Sequence, residues 1–471
     1  MPNRFHKPAV LLLTALALCV PSLAVPPARV VTRPVPKVPI IDYKLENGLR
    51  VILSPDKVAP VVSLTVMYNV GSRNEKPGKT GFAHLFEHLM FGGSENVGKG
   101  EHFALLSENG GSYNGTTSQE RTVYYETVPA NQMNLALFLE ADRMRAVDLT
   151  QDSLDREIAV VKEERRQRVD NEAYGSLYEH SLRQYFKTFA YQHSTIGSME
   201  DIGNAKLEDA MSFYKTYYRP NNAVLVLVGD FKVEDAKRSI RKYFGPIPGG
   251  PPIPPIDGIE PDRQESGERF VYTDPLAKMP RVRRYYRGVR GDHPDFYALQ
   301  VLATALSGRG KTGRLYEPLV ESRLALGVSA VALEMQTNSP FQIEVGLPAT
   351  GDPAKVEETL DREIARIQTD GITESELSRA KTQLRTSWAA HLQTTGAKAS
   401  YLATYTTYYN DPDRINTLFS RQNAVTLDDV KRVANTYLAK ENSVTIVVNP
   451  GLADAPANNN GNTGHSPEEA Q

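Results

Sequence analysis

With 471 residues the chain is too long for one ordinary hydrophobic core, and about two to three domains are expected. A formal net charge of −2 and a charged fraction of 23% are those of a soluble globular protein. They leave no electrostatic footprint for nucleic acid or an anionic membrane surface.

Arg4 and Lys7 precede an apolar run over 9–20, and Ser22-Leu23-Ala24 places small residues at the usual cleavage spacing. Residues 1–24 therefore read as a secretory signal peptide, cut short by Pro21 before it could span a bilayer. The single cysteine, Cys19, falls inside this segment, so the processed chain carries no thiol and no disulfide. The bulky Leu18 before it suits lipid attachment badly. No later stretch is long and apolar enough to cross a membrane, and the expectation is a periplasmic or secreted protein.

Residues 25–39 are proline-rich and should be extended. Two short segments, 43–45 and 49–53, flank the turn signal Asn47-Gly48 and predict a hairpin. A further strand is predicted over 61–70, then a helix from Phe82 with Thr80 placed to cap it. Strands over 112–117 and 122–128, amphipathic helices over 131–145 and 153–168, and a buried strand over 223–228 follow. Residues 245–258 hold six prolines, which neither a helix nor a central strand accepts. This segment reads as a linker between two halves.

The halves resemble each other. Leu207-Glu208-Asp209 recurs as Leu427-Asp428-Asp429, Thr216-Tyr217 as Thr436-Tyr437, Asn222 as Asn442, and Val224 and Val228 as Val444 and Val448, always 220 positions apart. A constant offset favours a duplicated unit. The expected division is a signal peptide (1–24), a metal-bearing half (40–244), a linker (245–262), a second half without a metal site (263–450) and a disordered polar tail (451–471).

The chemistry concentrates in His84-Leu85-Phe86-Glu87-His88. Within Phe82 to Phe91 every residue but these two histidines and the glutamate is apolar, so the helix should be buried nearly all round. At 100° per residue His84 and His88 lie about 40° apart, with Glu87 about 60° to the other side of His84. Three titratable groups on one buried face need compensation, which a divalent metal would provide.

Two histidines one turn apart suit zinc, whose catalytic sites take three protein ligands and leave one position open. The helix over 153–168 offers the third. With Glu157 at zero, Glu164 falls at about −20°, Val161 at about 40°, Leu154 at about 60°, Ile158 at about 100° and Val160 at about −60°, while Glu163 lies near −120°. Glu157 and Glu164 thus sit in an apolar stripe and Glu163 faces water. Glu164 is assigned as the third ligand, Glu157 as the group behind a ligand histidine, and Glu87 as the general base. In the second half the equivalent positions, 304–308, hold neither histidine nor glutamate.

His-x-x-Glu-His is the inverted zinc-peptidase motif, and the sequence resembles the pitrilysin/insulinase family over nearly the whole processed chain. Glu157 and Glu164 match the family's downstream pair, whose second member is the ligand. Tyr218-Arg219-Pro220-Asn221-Asn222 and Arg314-Leu315-Tyr316 also look like family signatures. The resemblance implies an α+β fold of two homologous α/β-layered halves, each an antiparallel-rich sheet with packed helices. It implies a short-chain clamshell subunit similar to mitochondrial processing peptidase, with one Zn²⁺ per chain. It further implies that an unfolded peptide adds as a strand beside an edge matching 111–117, at Asn114, Gly115 and Thr116.

One departure stands out. The family's C-terminal arginine, with a tyrosine seven positions later, is not recovered: the ungapped equivalents are Val320 and Gly327, or Glu321 and Val328, and Arg323 has no tyrosine at that spacing. The expectation is a heterodimer with a related chain that lacks the metal motif and supplies this pair, a homodimer being the alternative. The rival functions are a non-catalytic, chaperone-like core subunit and a peptide-capture protein.

Overall fold

The computed structural model describes residues 37–256, 267–337 and 339–451. The signal-peptide reading, Cys19 included, the last part of the linker and the tail beyond 451 lie outside these residues. Among the described residues no helix is long and apolar enough to cross a membrane.

The first sheet contains β1 (Ile41–Lys44), β2 (Arg50–Pro55), β3 (Val61–Tyr68), β4 (Ser112–Thr117), β5 (Thr122–Pro129) and β6 (Ala223–Gly229), in the order β1-β2-β6-β3-β5-β4. The Asn47-Gly48 signal is realised as a hairpin. Gly48 turns with φ 96°, and Ile41 to Lys44 pair antiparallel with Leu53 to Arg50. β2 and β6 run parallel, and the remaining neighbours antiparallel.

The period of two along a strand explains why β6 is apolar throughout. Val224, Val226 and Val228 share one core with Ile52 and Met67, while Ala223, Leu225 and Leu227 belong to another with Leu64 and Val66. On the second of these faces pack α1 (Phe82–Leu89) and α3 (Met133–Arg145); α2 (Glu101–Glu108) packs beside β4, and α4 (Gln151–Arg165) packs on α1. On the opposite face lies a helix from the second half of the sequence, Thr395–Tyr409. There the hydroxyls of Ser63 and Thr395 hydrogen-bond at 2.7 Å, and Lys398 pairs with Asp56 at 2.5 Å.

The second sheet is built from β7 (Glu268–Asp274), β8 (Arg281–Arg287), β9 (Gly327–Ala332), β10 (Pro340–Gly346) and β11 (Ser443–Pro450), ordered β7-β11-β8-β10-β9. The internal repeat is structural. Helices Leu207–Tyr217 and Leu427–Tyr437 each lead through a short 3₁₀ turn into β6 and β11. The amides of Asn222 and Asn442 donate to the carbonyls of Tyr217 (2.9 Å) and Tyr437 (2.7 Å). The expectation of two layered α/β halves is met.

The halves also exchange elements. After α4 the chain forms α5 (Leu177–Tyr185), which docks on the second sheet: Leu177, Leu182, Tyr185 and Phe186 share a core with Tyr285, Val444, Ile446 and Val448.

Candidate metal centre

α1 buries Phe82, Ala83, Leu85, Phe86 and Leu89, which leaves His84, Glu87 and His88 on its remaining face. α4 starts at Gln151, capped by Thr150, earlier than the sequence suggested, and it runs into a wider turn over Arg166–Asp170. It buries Leu154 and Val161. Its apolar stripe is narrower than the helical wheel indicates: Val160, placed in the stripe by the wheel, is 48% exposed. Glu163 points outward and pairs with Arg166 at 3.0 Å, as expected.

Thr80 does not cap α1. The N-cap is Gly81, in the left-handed region at φ 90°, without a side-chain cap. The Thr80 hydroxyl instead bonds Asp201 and accepts the N–H of Ser198 at 3.1 Å.

Crossing α4 over α1 brings the predicted residues together. His84 Nε2 is 3.7 Å and His88 Nε2 3.3 Å from Glu164 Oε2. One ligand atom from each of His84, His88 and Glu164 lies within 4.8 Å of the others. Among the described residues this is the one group of its kind. Two imidazoles and a carboxylate converging from two rigid helices are the donor set of a catalytic zinc site, and the residues fit that ion. His88 Nδ1 is 3.5 Å from Glu157 Oε2, on the side of the ring away from the Glu164 contact through Nε2. His84 Nδ1 is buried without a hydrogen-bond partner.

The electrostatics follow from crowding. The two imidazole rings stand 4.9 Å apart and do not share positive charge well. Burial and the neighbouring His88 lower His84 to about 4. At His88 burial also pulls down, but Glu157 and Glu164 outweigh it and raise the ring to about 9. The hydrogen bond from His88 holds Glu164 below the usual carboxylate range against partial burial. Glu87 is pushed up by burial, with the Thr117 hydrogen bond opposing.

Glu87 stays outside this trio of residues. Its Oε2 accepts the Thr117 hydroxyl at 2.5 Å. Thr117 belongs to β4, the edge strand of the first sheet, where Tyr113, Gly115 and Thr117 share the face toward α1. Gly115 permits the close approach: a Cβ there would lie 3.0 Å from the Phe91 ring and 3.1 Å from Glu87 Cγ. Gly115→Val should push β4 from α1 and lower kcat/KM by roughly 10²-fold through misplacement of Glu87, with bound metal unchanged. Peptide turnover and metal analysis on the same preparation check this.

The cluster opens into a cleft of about 800 Å³ bounded by α1, β4, the end of α4 and residues 194–196. Asn114, Gly115 and Thr116 line it, as does an aromatic wall. In that wall Phe103 stacks on Tyr113 at 4.6 Å and Phe91 lies 5.0 Å from Phe103. The sequence placed Thr117 in the edge segment without its bond to Glu87, and did not point to the aromatic wall or to Arg168, which pairs with Glu164 at 2.6 Å. The face that Thr117 takes was readable in principle, two residues from Gly115 on the same strand. Positions 304 and 307, where the repeat would carry a second site, are Thr304 and Ser307, whose hydroxyls bond their own helix.

The chain is similar in sequence and fold to known proteins. The profile described as "Insulinase (Peptidase family M16)" matches residues 50–199, and that described as "Peptidase M16 inactive domain" matches residues 204–384. Zinc protease PqqE of Helicobacter pylori is 30% identical over 414 residues, covering 86% of this chain and 92% of that protein. A probable mitochondrial-processing peptidase subunit beta of Arabidopsis thaliana is 26% identical, covering 88% of this chain and 78% of that one. The crystal structure of a protease from Helicobacter pylori superposes with a TM-score of 0.83 at 29% identity, over 88% of this chain and all of the other. With the inverted motif on α1, the paired glutamates on α4 and similarity along both halves, the chain belongs to peptidase family M16, the pitrilysin/insulinase family.

Proposed function

We propose that the chain is a zinc-dependent endopeptidase that hydrolyses unfolded peptides. The observation that carries this reading is the convergence of His84, His88 and Glu164 within 4.8 Å, with Glu87 on the same face of α1 as the two histidines. His84, His88 and Glu164 would hold the ion, which supplies Lewis acidity toward water and a peptide carbonyl.

The remaining work falls to the protein. Thr117 fixes one oxygen of Glu87 and leaves the other beside Gly115 of β4. There Glu87 takes a proton from the attacking water and delivers it to the departing amine nitrogen. Glu157 orients the His88 ring through Nδ1. The open edge of β4 at Asn114, Gly115 and Thr116 offers backbone groups to an extended peptide, which only an unfolded substrate can present along its length.

The unit boundaries that go with this reading are 40–244 for the metal-bearing half and 263–450 for its homologue, joined by 245–262. Residues 248–256 form neither helix nor strand, which supports the linker. The leader pattern at 1–24 supports export to the periplasm or beyond. The absence from this sequence of the arginine–tyrosine pair supports assembly with a related chain that provides it. Cleavage of a mixed peptide pool should therefore rise at least tenfold when that chain is added. A rate that the added chain leaves unchanged overturns the partner assignment, and a chain that binds zinc but cleaves nothing in any assembly overturns the peptidase reading.

A further inference from the structure

The helix carrying both histidines and Glu87 has no side-chain cap of its own, and its first-turn N–H groups are taken by a residue six positions upstream of Gly81. Glu75 Oε2 accepts the N–H of Gly81 at 2.9 Å and Oε1 that of Ala83 at 2.7 Å. The Glu75 side chain has no solvent exposure, and a buried carboxylate needs a countercharge.

His193 supplies it. Its Nε2 is 2.9 Å from Glu75 Oε2 and 3.0 Å from the Ser72 carbonyl, and its Nδ1 is 2.9 Å from the Phe189 carbonyl. Every neighbour of either ring nitrogen is an acceptor, so both nitrogens donate, which only the imidazolium does. Burial pulls the ring down, and the bond and charge of Glu75 outweigh it, so His193 titrates above the usual imidazole range. Burial pushes the Glu75 carboxyl up, opposed by His193 and the N–H groups of Ala83 and Gly81; the ring sits against that carboxyl, and the carboxyl against the positive end of α1.

The segment bearing His193 reaches the other ligand helix as well. Ser194 Oγ donates to Glu179 at 2.6 Å, and Glu179 receives Arg165 of α4, the neighbour of Glu164, at 2.6 and 3.1 Å. Arg165 also donates to the Gly197 carbonyl at 2.5 Å. Gly197 lies backbone to backbone on the start of α1: a Cβ there would fall 2.4 Å from the Gly81 nitrogen. Residues 189–201 therefore form a strap tied to α1 at one set of contacts and to α4 at another.

We infer that this strap sets the spacing between α1 and α4, and hence between the two histidines and Glu164, with His193 and Glu75 acting as positioning residues for the metal. The inference rests on the zinc reading above. Neither residue belongs to the ligand trio or lines the cleft.

The test is competition for Zn²⁺ against a chromophoric chelator, using wild type, Glu75→Gln, His193→Gln and the double variant, with circular dichroism of each metal-free chain. Each single variant should keep its fold and lose about 10–100-fold in zinc affinity. The double should bind no more weakly than the weaker single, because both act through one contact. Single variants that bind zinc as wild type does overturn the inference, as do losses that multiply in the double. A wild-type chain that holds no zinc overturns the metal reading itself. If Glu75→Gln does not fold, His193→Gln alone decides, since its side chain reaches solvent.

Discussion

Glu87→Gln is expected to retain zinc at the wild-type stoichiometry and to lower kcat/KM for peptide cleavage by roughly 10²–10⁴-fold, the range for removing a general base. The amide keeps the shape of the carboxyl, and its oxygen still accepts the Thr117 hydroxyl. What it loses is the capacity to take a proton. Because His84, His88 and Glu164 form the cluster without Glu87, the metal has no reason to leave. Zinc content and cleavage of a peptide pool, measured on one preparation, read both halves of the expectation. Cleavage within about twofold of wild type would remove Glu87 from the base role.

His88→Ala should do the opposite, stripping the metal and with it the activity. His88 is the hub of the cluster, 3.3 Å from Glu164 and 3.5 Å from Glu157. Without it two ligands remain, and two buried-side carboxylates lose the group that separates them. The loss of zinc affinity should exceed the roughly 10–100-fold that removing an outer partner costs. Glu157→Gln should show only that smaller loss, and excess zinc should restore its cleavage, whereas His88→Ala should stay inactive in excess zinc. Chelator competition followed by assay across a zinc series separates the two. Equal behaviour of the two variants would mean that Glu157, too, is a ligand.

The parts of this site that follow from helical periodicity could be read from the chain alone. The 3.6-residue repeat puts His84 and His88 on one face of α1 and selects Glu164 and Glu157 over Glu163 on α4. The 220-residue offset pointed to a duplicated unit, and the structure shows two matching helix–turn–strand units with equivalent hydrogen bonds at Asn222 and Asn442. What failed was local capping and long-range packing. Thr80 has the right residue type for a cap, yet its hydroxyl is drawn to Asp201 while Glu75, remote from any capping position, serves the helix. Val160 fits the wheel, but a wheel does not say where the covering element ends. No local pattern reveals that α5 docks on the second sheet or that the helix Thr395–Tyr409 covers the first, because those contacts are decided by surfaces distant in sequence. The bond from Thr117 to Glu87 has the same origin: strand alternation gives the face, and only the packing of α1 against β4 gives the partner.

In the function proposed for it, this chain cleaves peptides through a zinc ion held by His84, His88 and Glu164. The most direct measurement is chelator depletion and zinc reconstitution of the purified chain, alone and with its proposed partner, with metal content and peptide cleavage followed together. One zinc per chain, loss of cleavage as that zinc is withdrawn, and recovery in proportion to zinc returned are expected. Cleavage that persists in the fully depleted protein would contradict it.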